Sequence, residues 1–490
     1  MLLAADGERG YRETRRAEQG VVMACSSIPE LVYDLAAIEV DVSSSAPDFS
    51  NSKRPSDGVI DRWAETAALA EPEARSVAIW AIRESAIAAG LIPSSIQELY
   101  LARAAGTWSG RTVPAMNLRG WTYHTCRAAF RAAKEMDAAL FVFEQAVSES
   151  VFAEQRPVEY TAGVLAAALR EGYTGPVFLQ GDHVQIDANA YRRDSGAEIQ
   201  RLETIIRNEI EAGFYNIDID ASTVVDLSLP TVEDQQNLNA ELTAHFTDYV
   251  RGIEPKGITV SLGAEIGEVG HENTTPQELR AFMAVYSELL RAKGGHLTGV
   301  SKISINSGTY HGGKVLPDGT LAPVNVDYAL LETISTICRE EYGMGGAVQH
   351  GASTLPGSQL AKFQATGAVE IHLALGFNNL IFDHPRLPAA IKNQIRDYVF
   401  ANHAAERKPG ETDVQFLYKT RKKAWKAVKK PFWEMPASAQ ADMMRSLEGM
   451  FRDMFTWMNV GGTSELVRDT ISATKIAPPA PKLFQKALAD

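Results

Sequence analysis

Eight short β-branched or aromatic runs, each followed by a longer stretch of helical period, constrain this chain more than any other feature. They are TVPAMNL (112–118), AALFVFEQ (138–145), PVFLQGDH (176–183), FYNIDIDAS (214–222), ITVSLGAEIG (258–267), SKISINSG (301–308), GAVQHG (346–351) and VEIHLAL (369–375). Strands alternating with helical patterns are the signature of repeated βα units on a parallel sheet. Between them lie SGAEIQRLETIIRNEIEAG (195–213) and TPQELRAFMAVYSELLRAKGG (275–295), the second opening on Thr and Pro and closing on Gly, as helix ends prefer. Eight such units predict an α/β chain folded as a (β/α)8 barrel, the TIM barrel, over residues 96–384. An N-terminal extension, partly irregular, is expected over 1–95, since 40–58 (VDVSSSAPDFSNSKRPSDG) is rich in Ser, Pro, Asp and Asn. A helical tail is expected over 385–490.

In this architecture chemistry sits at the C-terminal ends of the strands. Those ends carry Asn117, Gln145, Asp182 with His183, Asp220, Glu265, His311, His350 and His372. His183, His311 and His350 come from three different strand ends, so barrel closure brings them together. Three neutral imidazoles make an open zinc site that keeps a position for water or substrate. Small residues flank each one, in GDH, YHGG and QHGAS, and let the backbone approach a ligand. Neighbouring residues on a strand point to opposite sides, so Asp182 is expected to face substrate as acid or base and leave the metal to His183. A lone histidine is more often a packed or surface residue, and Asp182 alone could cap a loop; it is the set that points to a site.

The rest of the composition excludes other classes. A net charge of −13 argues against a nucleic-acid surface, which needs excess Lys and Arg. The basic run KTRKKAWKAVKKPFWEMP (419–436) is therefore expected to be a solvated helix face. Three cysteines without CxxC spacing support neither a disulfide framework nor a thiolate cluster. With no apolar run of about 18 residues and no signal peptide, no membrane association is expected and a cytoplasmic location fits. In SAQADMMRSLEGMFRDMFTWMNV (438–460), Met443, Leu447, Phe451, Met454, Phe455 and Met458 recur at helical spacing. They are expected to pack on the barrel or on a second subunit, and a homodimer or larger assembly is predicted.

The ordered landmarks IPSSIQELYLARAAGTW, PAMNLRG, QGDH, YNIDIDAS, GAEIGEVGHEN, SGTYHGG, VQHGAST and GAVEIHLAL resemble the class II, zinc-dependent fructose-bisphosphate and tagatose-bisphosphate aldolases from about residue 95 to 375. The resemblance implies that His183, His311 and His350 hold zinc or another divalent ion. Asp182 would shuttle the proton at the scissile carbon–carbon bond, and Glu265 matches the family's inward glutamate near the metal. Gly312, Gly351 and Ser353 match the loops that build the phosphate pocket and a monovalent-cation site, and Asn117 and Ser148 match substrate-binding residues. Such enzymes cleave a ketose bisphosphate, a small sugar phosphate, into dihydroxyacetone phosphate and an aldehyde through a metal-stabilised enediolate.

Departures accompany the matches. The family's Asn-x-Asp-Thr pattern on the eighth strand is replaced by His372, Ala374 and Leu375. The family's lysine after the zinc histidine has Lys314 as its counterpart, one residue early. In GAEIGEVGHEN, Glu272 is the choice for the mobile-loop catalytic acid over Glu268 and His271. The altered strand leaves two alternatives open: a sugar or sugar-phosphate epimerase or isomerase on the same metal barrel, and a non-catalytic barrel subunit of an aldolase complex.

Overall fold

The computed structural model describes residues 24–42, 47–266, 272–294, 297–308, 316 and 324–482. Among the described residues there are nine parallel strands: β1 (Pro93–Ser94), β2 (Val113–Asn117), β3 (Val142–Ala146), β4 (Val177–Gln185), β5 (Asn216–Asp220), β6 (Ser261–Glu265), β7 (Lys302–Ile305), β8 (Ala347–Gln349) and β9 (Glu370–Leu373). Strands β2 to β9 pair in succession, and β9 pairs back onto β2, so the sheet closes into an eight-stranded barrel. All eight expected strands are found; six lie within their predicted runs, while β3 ends one residue beyond its run, at Ala146, and β4 two beyond, at Gln185. Each of β2, β3 and β5 to β9 is buried along its whole length, which is why these strands read as apolar runs rather than as clean alternations. The additional β1 pairs with Val177 and Phe178 of β4 below the point where β5 joins at Gln180. Asn216 fastens that junction, accepting from the Ile96 amide at 2.8 Å and donating to the Leu179 carbonyl at 2.8 Å.

Helices surround the barrel where the periodicity predicts them. The helix Ser195–Ala212 starts on Asp194, whose side chain accepts from the Ala197 amide. The helix Pro276–Gly294 starts on a capping box in which Thr275 and Glu278 bond each other's amides. The N-terminal segment is more ordered than its composition predicts, with helices Ile28–Ala37, Asp57–Leu69 and Pro72–Ala88. The last two pack on the barrel helix Pro157–Glu171.

The tail is folded back onto the barrel. Met443, Leu447, Phe451, Met454, Phe455 and Met458 are all buried, and their helix, Ala437–Trp457, packs against the barrel helix Thr122–Glu135. That apolar face is used within the chain, so it no longer supports the expected dimer. The basic run is only partly solvated, which corrects the expectation of an exposed face: Lys429 is buried with its Nζ 2.5 Å from Glu159, and Trp425 is fully buried. Trp425 lies flat on Gly120, whose φ of +78° and missing Cβ both permit the contact. Among the described residues no helix is long and apolar enough to cross a membrane.

Candidate active site

The C-terminal mouth of the barrel gathers imidazoles and carboxylates from the ends of four strands, β4, β5, β6 and β8. At its centre Asp182, His183 and His350 each offer a donor atom within 4.8 Å of the others, and so do His183, Asp220 and Glu265. His183 Nδ1 lies 2.8 Å from Glu265 Oε1 and 3.5 Å from Asp220 Oδ2. His350 Nε2 is 3.0 Å from Ser304 Oγ, and its ring centroid is 4.5 Å from that of His183.

One expectation is corrected by the course of β4. The Asp182 and His183 side chains do not diverge: His183 Nε2 is 3.5 Å from Asp182 Oδ1. The β4–β5 register shifts between Gly181 and Val184, and His183 has φ +47°, in the left-handed region. A bulge of this kind re-aims one side chain and breaks the alternation of a regular strand. Both neighbours therefore face the same site.

Below this layer lies a second, wholly buried one that sequence reasoning did not identify. Lys302 Nζ is 2.9 Å from Asp218 Oδ1, 2.5 Å from Glu370 Oε1 and 2.8 Å from Gln180 Oε1. Gly263 makes room for this ion pair, because a Cβ there would collide with Asp218. Above the pair, His372 Nε2 lies 2.6 Å from Glu370 Oε1, while its Nδ1 is 3.1 Å from both Asp182 Oδ1 and Glu144 Oε2. The His372 and His350 centroids are 4.1 Å apart, so the two layers touch. A signal for the lower layer was available: Glu144, Asp218, Lys302 and Glu370 interrupt otherwise apolar strands, and charges in strands buried on both faces need partners.

The electrostatics follow from burial against charge. Burial opposes the charged form of His183, yet Asp182 and Glu265 outweigh it and raise its pKa well above the ordinary value. His372 behaves likewise, with Glu144 and Asp182 prevailing over burial. Burial, with Asp220 nearby, lifts Glu265 to about 7. Lys302 stays charged against burial because Asp218 and Glu370 face it.

The remaining predicted residues are placed as follows. Asn117 ends β2, buried, and its Oδ1 has no hydrogen-bond partner. Ser148 is exposed on the helix Val147–Phe152. Gly351 follows His350 with φ +71°. Ser353 Oγ accepts from the Ala374 amide at 2.7 Å and so ties the β8 loop to the end of β9. Glu272 is exposed and is not brought to the cluster; its carbonyl accepts from Asn306 Nδ2 at 2.7 Å. His311, Gly312 and Lys314 lie outside the described residues, as do Glu268 and His271. Two further cations stand at this end of the barrel. Arg119, just beyond β2, pairs with Glu149, and Lys422 is lowered to about 8 by burial and by Arg119. Lys422 belongs to the basic run 419–436, expected from the sequence to be a solvated face, and the tail carries it back to the barrel.

The family model described as "Fructose-bisphosphate aldolase class-II" matches residues 101–438. No curated protein matches the chain. Among solved structures, a probable tagatose 6 phosphate kinase from Sinorhizobium meliloti 1021 is similar at 18% identity and TM-score 0.50, covering 77% of this chain and 98% of its own. A fructuronate-tagaturonate epimerase from Cohnella laeviribosi is similar at 11% identity and TM-score 0.51, covering 79% and 86%. An aldolase from Escherichia coli K12 is similar at 13% identity and TM-score 0.39, covering 76% and 99%.

Proposed function

The chain belongs to the class II fructose-bisphosphate aldolase family, and on that premise we propose that it is a metal-dependent aldolase acting on a ketose phosphate. The observation that carries this reading is the convergence of His183 and His350 with Asp182, Asp220 and Glu265 at the barrel mouth. The donor set fits a divalent ion: imidazole nitrogens and carboxylate oxygens within 4.8 Å of one another suit zinc and its borderline neighbours. His183 and His350 would be ligands, with Glu265 beside them and His311 as the third imidazole by family resemblance. A divalent ion held there would supply Lewis acidity toward a substrate carbonyl.

The chain's own residues do the rest in this account. Asp182, buried at the strand end, takes the proton of the substrate hydroxyl as the carbon–carbon bond breaks and returns it on synthesis. Asn117 offers its unpartnered oxygen to a substrate hydroxyl. Arg119 and Lys422 supply positive charge for a phosphate, joined by Ser148, Gly351 and Ser353 and, by family resemblance, by Gly312, Lys314 and the monovalent-cation site. Glu272 remains the proposed mobile-loop acid.

The test is a cleavage screen over ketose mono- and bisphosphates with enzymatic detection of triose phosphate, run before and after chelation. Triose phosphate should appear and should vanish with the metal. Asp182→Asn should lower turnover by about two to four orders of magnitude, the range for one positioned acid–base group. Chelator-resistant cleavage would refute the metal-dependent reading. A second reading, a sugar or sugar-phosphate epimerase, is favoured by β9, where His372 lies among carboxylates and Ala374 and Leu375 replace polar contacts. Carbon NMR separates the two: an epimer formed without free triose phosphate supports the epimerase.

A further inference from the structure

His372 stands in a donor group distinct from the His183–His350 pair. Its Nε2 faces Glu370 Oε1 at 2.6 Å, and Lys302 Nζ fixes that oxygen from the other side at 2.5 Å. A carboxylate that accepts from one ring nitrogen turns the other into an oriented lone pair, the arrangement that supports metal-ligating imidazoles. That other nitrogen, Nδ1, lies 3.1 Å from Glu144 Oε2 and 3.1 Å from Asp182 Oδ1. Ligands about 2.0 to 2.2 Å from a divalent ion and roughly at right angles to one another are about 3 Å apart. Nδ1 thus has the spacing of a neighbouring ligand to each oxygen, and donor atoms of all three residues lie within 4.8 Å of one another. A second observation comes from Glu144: its side chain is 1% exposed, its Oε2 accepts from Gln180 Nε2 at 3.2 Å, and among the described residues its Oε1 has no hydrogen-bond partner. A buried carboxylate oxygen left unsatisfied is costly, and a cation against that carboxylate removes the cost.

We propose that Glu144, Asp182 and His372 bind a second divalent cation, beside the one that His183 and His350 would hold, with Asp182 Oδ1 toward this second ion and its other oxygen accepting the substrate proton. One nitrogen and two carboxylates suit Mn2+ or Zn2+. The inference rests on the metal-dependent reading of the barrel mouth but makes a separate claim about stoichiometry. In the resemblance to the aldolases His372 falls where a substrate-binding asparagine is expected; the structure surrounds it with carboxylates, which gives that replacement a purpose.

The experiment is metal counting on the full chain, stripped by chelator, re-equilibrated with Mn2+ and then with Zn2+, and measured by mass spectrometry. Low-temperature EPR of the Mn2+ form reports coupling between neighbouring ions. The wild type should hold two ions per chain, with a coupled Mn2+ spectrum. Glu144→Gln, which is nearly isosteric, and His372→Ala should each hold one, with an uncoupled spectrum; circular dichroism checks that both are folded. His350→Ala should keep the ion at Glu144 and His372. A single wild-type ion that survives Glu144→Gln and His372→Ala but is lost in His183→Ala overturns the second site and leaves the proposed aldolase standing. Two ions unaffected by Glu144→Gln and His372→Ala overturn it as well. No ion in the wild type overturns both.

Discussion

His183 adopts a backbone conformation that a non-glycine residue rarely does, with φ +47°, and strain of this kind, about 1 to 3 kcal/mol, gathers at functional sites. The strain has a visible return, since it turns His183 to the side of Asp182. Glu209 presents a different residue-scale conflict. Its carboxyl is buried behind Gly181, Oε2 has no hydrogen-bond partner, and burial followed by Asp182 raises it to about 8. The unfolded chain ionises this group near 4.5 and the folded chain only near 8, so between those values the folded state holds more protons and stability falls as pH rises. Glu209→Gln should therefore gain stability over the wild type on going from pH 5 to pH 8, by on the order of 1 to 3 kcal/mol. Denaturant titrations at the two pH values check this, and parallel curves for the two proteins would contradict it. At this scale the sequence was half legible. The pair Asp182 and His183 announced itself by following an apolar run, but nothing in the letters QGDHV encodes a bulge, because left-handed backbone is expected of glycine and here falls on a histidine.

The strands were legible as elements because a parallel barrel strand is covered on both faces and keeps an apolar character that a short run of letters shows. The N-terminal helices were not, since Ser, Pro and Asp around 40–58 drew attention to irregularity while Asp57–Leu69 and Pro72–Ala88 gain their stability from packing on the helix Pro157–Glu171, a tertiary effect that overrides local propensity. The buried charges of β5, β7 and β9 were seen as letters and not as a unit. Lys302 is fully buried between Asp218 and Glu370, and removing one member of such a group leaves charge uncompensated. Lys302→Met should destabilise the chain by about 3 to 5 kcal/mol, measured by chemical denaturation with metal removed; a loss below about 1 kcal/mol would mean that the layer is solvated or protonated. The tail helix offers a parallel test. Phe451 is fully buried against the barrel side, so Phe451→Ala should cost about 3 to 5 kcal/mol, and a negligible cost would mean that the tail does not dock as described.

Across the whole molecule, N-terminal helices, barrel and tail share one apolar core, and the tail returns Lys422 toward Arg119 at the end of the barrel where His183, Asp182 and His350 converge. The division into extension, barrel and tail made from the sequence is thus a division of chain segments that pack on one another. His311, Gly312 and Lys314 fall outside the described residues; strand ends and the tail form the described part of the mouth. On the proposed reading, the divalent-metal centre on His183 and His350 serves carbon–carbon bond cleavage with Asp182 as the proton acceptor. The most direct test is the chain's action on a ketose bisphosphate, followed by carbon NMR in three preparations: as purified, chelated, and chelated then resupplied with Zn2+. Free triose phosphate is expected in the first, none in the second and recovery in the third. Undiminished triose phosphate after complete metal removal would contradict that reading.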